Sequence, residues 1–173
     1  MPMKMTAFLF LIAMANCGFS QQNKSNEMIE FVHNEFKIHY PESWKLDTSK
    51  AWGSEVIIFS PLENEEDKFS ENVNFLIQNL EGQNISLESY KTLTEQQIAT
   101  LATDGKIIES DLVTSGKEPF FRITYSMTQG IYKLKITSLC FIHHDHAYLI
   151  TFSAETDHYD HYIATGAQIL NFF

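Results

Sequence analysis

The stretch IYKLKITSLCFIHHDHAYLITFS, residues 131–153, decides how the chain is read. Tyr132, Leu134, Ile136 and Cys140 fall two or four residues apart with Lys133 and Lys135 between them, which is the period of a half-buried β-strand. Ala147 to Ser153 forms a second run rich in aromatic and β-branched residues, and only the polar tetrad His143-His144-Asp145-His146 separates it from the run Ile131 to Ile142. The two runs therefore predict a hairpin, with Cys140 buried on the face that carries Tyr132, Leu134 and Ile136.

The same reading extends outward in both directions. Phe120 to Met127 precedes the hairpin across a turn at Thr128-Gln129-Gly130, and Ile107 to Val113 precedes that, so four apolar runs predict an antiparallel meander. Upstream, Ser86 is placed to cap a helix over Leu87 to Leu101, with Glu88 in its first turn and Leu87, Tyr90, Thr94, Ile98 and Leu101 on one stripe. Downstream, Asp157 to Phe173 reads as a second helix with a stripe of Tyr159, Tyr162, Ile163, Gly166, Ile169, Leu170 and Phe173. Asp157 is expected as its N-cap and Asp160 as a first-turn acid. Nearer the start, Met28 to Val32 and Phe36 to Tyr40 read as strands about the turn His33-Asn34-Glu35. Val56 to Phe59 and Val73 to Leu80 read as two more, the former covered on both faces. Helices separated by a meander imply an α+β domain, with the helices packed on a mainly antiparallel sheet.

The chain has 173 residues, 44% of them hydrophobic, which is enough for one substantial core. Met1 to Ser20 is set aside: Lys4, the apolar run Ala7 to Ala15 and a small-residue end have the order of a secretory signal peptide, with cleavage expected near Ser20-Gln21. Met14-Ala15-Asn16-Cys17 offers the alternative of a lipid anchor at Cys17. Residues 21–27 then read as a flexible leader and 28–173 as a single domain, exported to the periplasm or cell envelope. The 12 Lys and Arg stand against 22 Asp and Glu, a net charge of −10, and loss of Lys4 with the signal makes it −11. Such a chain has no basic stripe for phosphates, so nucleic acid is not an expected partner.

Phe36-Lys-Ile-His-Tyr-Pro-Glu-Ser-Trp44 resembles the strand, proline and tryptophan opening of the PsbP-like superfamily, which includes the DcrB-type bacterial envelope proteins. Asn72-Val-Asn-Phe75, Ser86-Leu-Glu-Ser-Tyr90, Gly116 before Phe121-Arg-Ile-Thr-Tyr125, Tyr148 to Ala154, and Tyr162 with Ile169 to Phe173 follow in the same order. The resemblance implies an α/β/α sandwich and an accessory or binding role. It transfers no catalytic residue.

The residues themselves offer little for catalysis: the sequence holds no phosphate-cradling glycine motif, no G-x-S-x-G, no H-E-x-x-H and no cysteine pair with zinc spacing, so no enzyme is expected. Residues 62–71, with Glu63, Glu65, Glu66, Asp67 and Glu71, lack the glycine and ligand spacing of a calcium loop and read as solvated. Arg122, the only arginine, is expected in an ion pair, and Tyr40, Trp44 and Trp52 either line a ligand pocket or pack in the core. Two functions follow. The first is an exported, non-catalytic accessory or binding module for a protein partner or small ligand. The alternative is a weak metal-handling protein in which His143, His144 and His146, with His158 or His161 in addition, hold zinc or copper.

Overall fold

The computed structural model describes residues 27–33, 36–116 and 118–170. The expected signal peptide with Cys17, residues 34–35 of the expected first turn, and residues 171–173 at the end of the expected second helix lie outside that range. A seven-stranded, fully antiparallel sheet runs in the order β3-β4-β5-β9-β8-β7-β6, and a separate hairpin of β1 (Met28–Val32) and β2 (Lys37–Pro41) packs beside it. The sheet strands are β3 (Lys45–Asp47), β4 (Val56–Phe59), β5 (Asn72–Asn79), β6 (Lys106–Val113), β7 (Phe120–Gln129), β8 (Tyr132–His143) and β9 (His146–Glu155). Helix α1 (Leu87–Leu101) lies on one face and α2 (Tyr159–Leu170) on the other. This is the expected sandwich.

The meander is the register predicted from residues 107–153. Cys140 pairs with Phe121 and Leu149 and shares its face with Tyr132, Leu134 and Ile136, all of them buried. The turn between β7 and β8 falls on Gly130 and Ile131, one position later than expected; Gly130 takes φ +60°, and Ile131 is 86% exposed at the tip instead of in the strand. Sequence reasoning also missed β3, whose three residues are too short to show a period.

The period-2 alternation sends two different cores to the two faces of the sheet. Val73, Phe75, Ile150, Phe152 and Ala154 face α2 together with Phe36, Ile38, Tyr40 and Trp44, while Leu76, Phe121, Ile123, Tyr125, Leu134, Ile136 and Leu149 face α1. The helices fit these faces unequally. α2 buries Tyr159, Gly166, Ile169 and Leu170, and the missing side chain at Gly166 lets the helix backbone approach the Phe152 ring. α1 buries Ile98 alone, and Leu101, expected on its buried stripe, is 46% exposed at the helix end. Its central stripe position is Thr94, whose hydroxyl turns back to the Tyr90 carbonyl at 2.9 Å.

Hydrogen bonds join the strands on their polar rows. Thr124 and Thr137 lie 2.8 Å apart, Thr137 reaches the Tyr159 hydroxyl of α2 at 2.5 Å, and Ser138 meets Thr151 at 2.9 Å, so these buried hydroxyls are satisfied by one another.

Candidate functional site

The histidine tip forms where predicted, but as a two-residue turn. His143 pairs with His146, while His144 and Asp145 take φ 45° and 59°, the left-handed pair that a tight hairpin requires. The rings of His143 and His144 meet edge to face at 3.9 Å, and His146 Nδ1 lies 2.8 Å from the His144 carbonyl oxygen. Among the described residues the three imidazoles do not form a group with all ligand atoms within 4.8 Å of one another. His158 cannot join them, because it follows the far end of β9, and ten strand residues span about 33 Å at ~3.3 Å each. His161 is exposed on α2, stacked edge to face on Tyr162.

The aromatic trio divides between core and surface. Tyr40 and Trp44 are buried in the α2-side core, Trp44 against Tyr162 at 6.2 Å, whereas Trp52 is 46% exposed. Arg122 is paired as expected: its guanidinium reaches Glu109 at 3.0 Å and Asp111 at 3.2 Å on β6. Asp160 stands in the first turn of α2, but the cap position is held by His158, whose carbonyl accepts from the N–H groups of His161 and Tyr162. Cys140 is fully buried, and burial pushes its thiol far above the ordinary cysteine range.

The cavity lies on the other face, beneath α1. It has a volume of about 80 Å³, a floor of Leu76, Phe121, Tyr125 and Leu149, and a roof of Leu93, Thr94, Gln97 and Ile98. Gln78 and Gln83 stand with them in the wall. Tyr90 donates to Gln78 Oε1 at 2.6 Å, and burial raises the phenols of both Tyr90 and Tyr125 so that they stay neutral. None of the lining side chains carries a charge. The space suits a small apolar group whose neighbouring atoms hydrogen-bond to amides and hydroxyls. The sequence contained one sign of it, Thr94 in the middle of an otherwise apolar stripe. The sheet residues of the floor read only as core.

No protein-family model matches the chain, and no curated protein matches it in sequence. Solved structures do match. Cyanobacterial PsbP (CyanoP) from Synechocystis superposes with a TM-score of 0.62 at 11% identity, covering 94% of this chain and 96% of that one. PA94, a Pseudomonas aeruginosa protein of unknown function, gives 0.58 at 10% identity over 84% of this chain and 95% of its own. LpqN of Mycobacterium tuberculosis, involved in cell envelope biogenesis, gives 0.56 at 10% identity, with coverages of 83% and 87%. Identities this low speak for the fold alone. Among the described residues no helix is long and apolar enough to cross a membrane. With helices on both faces of one antiparallel sheet and these neighbours in shape, the chain has a PsbP-like fold.

Proposed function

We propose that this protein is an exported, non-catalytic accessory module of the cell envelope that binds an uncharged ligand bearing a small apolar group in the cavity beneath α1. The observation that carries this reading is the loose seating of α1. A fifteen-residue helix that buries only Ile98 leaves a cavity between itself and the apolar residues of β5, β7 and β9, whereas α2 buries Tyr159, Gly166, Ile169 and Leu170 on its own face. A wall without carboxylate, imidazole or amine favours an uncharged occupant, because a charged one would enter without a partner. Its only proton-bearing ionisable groups, the phenols of Tyr90 and Tyr125, are kept neutral by burial, which favours binding over acid–base chemistry. The export pattern of residues 1–20 and the involvement of LpqN in cell envelope biogenesis support the location.

Amide NMR titration with short-chain uncharged alcohols and amides tests the reading. Saturable shifts confined to α1, β5, β7 and β9 are expected. Leu149→Trp fills the cavity from the floor and Thr94→Phe from the half-exposed helix, and each should abolish them. Shifts that scatter over the surface, or survive both substitutions, would refute the site.

A further inference from the structure

Residues 62–71 read as a solvated acidic loop, yet its last carboxylate is fully buried: Glu71 has no exposed surface, and Asp67 is 9% exposed. Phe69, buried against Tyr132 at 5.2 Å, draws this end of the loop into the protein. The backbone then locks it, since Ser60 N–H donates to the Glu71 carbonyl at 2.7 Å. Ser60 Oγ donates to Glu71 Oε2 at 3.1 Å and so fixes how the carboxylate is turned. The other oxygen, Oε1, has no hydrogen-bond partner.

That oxygen faces the turn leaving β9. Glu155 ends the strand, and the His158 N–H donates to the Glu155 carbonyl at 3.0 Å, which folds the imidazole back toward the sheet. His158 Nδ1 lies 3.5 Å from Glu71 Oε1 and also has no hydrogen-bond partner. With one oxygen of Glu155, these atoms all lie within 4.8 Å of one another. Asp67 adds a nearby third carboxylate, held by the N–H groups of Glu63 and Phe69 at 2.8 and 3.0 Å. Among the described residues, the only basic side chain within ion-pair distance of Glu71 is the His158 imidazole.

We infer that Glu71, Glu155 and His158 form a binding site for a borderline divalent metal ion, Zn²⁺, with one coordination position left to water on the solvent side. Buried carboxylates are found paired or coordinating, because an uncompensated one costs several kcal/mol. A proton would satisfy only one of the three converging groups. The 3.5 Å between Glu71 Oε1 and His158 Nδ1 matches the ~3.4 Å edge of a tetrahedron around a zinc ion bonded at ~2.1 Å. Glu155 is half-buried and closes by side-chain rotation. Two oxygens and an imidazole nitrogen are the donor set of a borderline cation and not of calcium or magnesium, which take oxygen alone. Ser60 is the outer partner that orients the buried ligand. The bound ion would clamp the turn between β9 and α2 onto the loop that leads into β5, so it should stabilise the fold as well as bind.

Isothermal titration of the chelator-stripped full chain with zinc chloride near neutral pH, paired with thermal melts, tests this. One equivalent of zinc at this site and a higher melting temperature are expected. His158→Ala, at a half-exposed position that folding tolerates, and Glu71→Gln should each weaken that equivalent at least about tenfold. Replacing His143, His144 and His146 together by alanine should leave it intact. The inference is overturned if the wild type takes up no zinc, if His158→Ala binds zinc as the wild type does, or if calcium saturates the site while zinc does not. Should Glu71→Gln fail to fold, His158→Ala alone decides.

Discussion

Gly166→Ala tests how α2 is seated. An alanine methyl at this position would lie 2.8 Å from both Cδ2 and Cγ of Phe152 and 3.1 Å from Cδ1. Carbon atoms in good contact sit about 3.5–4.0 Å apart. Phe152 has no exposed surface and stands on the central strand β9, so its ring has nowhere to go. The helix must instead retreat by roughly 0.7 Å or more, which loosens Tyr159, Ile169 and Leu170 together. Overpacking of this kind costs about 1–3 kcal/mol. Helix propensity works in the other direction, favouring alanine over glycine by about 1 kcal/mol. The clash involves two ring atoms of an immobile side chain, which places it in the upper part of that range, about 2–3 kcal/mol, so it wins with a net loss of about 1–2 kcal/mol. At ~2–4 °C per kcal/mol for a domain of this size, the melting temperature should fall by about 2–8 °C. Calorimetry and urea unfolding followed by tryptophan fluorescence measure it. Ala164→Gly, on the exposed side of the same helix, supplies the local propensity scale and should cost about 1 kcal/mol. If Gly166→Ala raises the melting temperature, propensity has won and the close approach of α2 to β9 is not what glycine is there for.

Two further outcomes follow from the described contacts. In a Cys17→Ser chain, Cys140 should stay unmodified by a thiol reagent in the native protein even in mildly alkaline buffer and react at once in denaturant, because burial keeps the thiol protonated; rapid native labelling would contradict the strand register of β8. Arg122→Ala should cost no more than about 1 kcal/mol in urea unfolding, since the pairs with Glu109 and Asp111 are solvent-screened at the sheet surface, and a larger loss would show that the arginine stem packs as well as pairs.

Local rules acting on local sequence were enough for the meander, for both helices and for Cys140. Alternation of Tyr132, Leu134 and Ile136 with lysines sets which way each side chain of β8 points, and Gly130 can take the positive φ that a two-residue turn asks for. The start of α1 follows from Ser86, whose hydroxyl accepts from the Ser89 N–H. None of this depends on what lies across the sheet.

Tertiary structure decided everything about sites. Thr94 reads in the sequence as one member of the α1 stripe, and only the opposing strands reveal that the helix above them leaves a cavity. The histidines closest in sequence, His143 to His146, share a tight two-residue turn in which the rings of His143 and His144 touch, yet the three do not bring ligand atoms within 4.8 Å of one another. Those that converge, Glu71 with Glu155 and His158, are more than eighty positions apart and meet only because β5 pairs antiparallel with β9, bringing the start of one strand beside the end of the other. Sequence reports periodicity, turn chemistry and charge one neighbourhood at a time. Burial of Glu71 is a property of the packed loop, and an acidic run carries no mark of which carboxylate the fold will take inside.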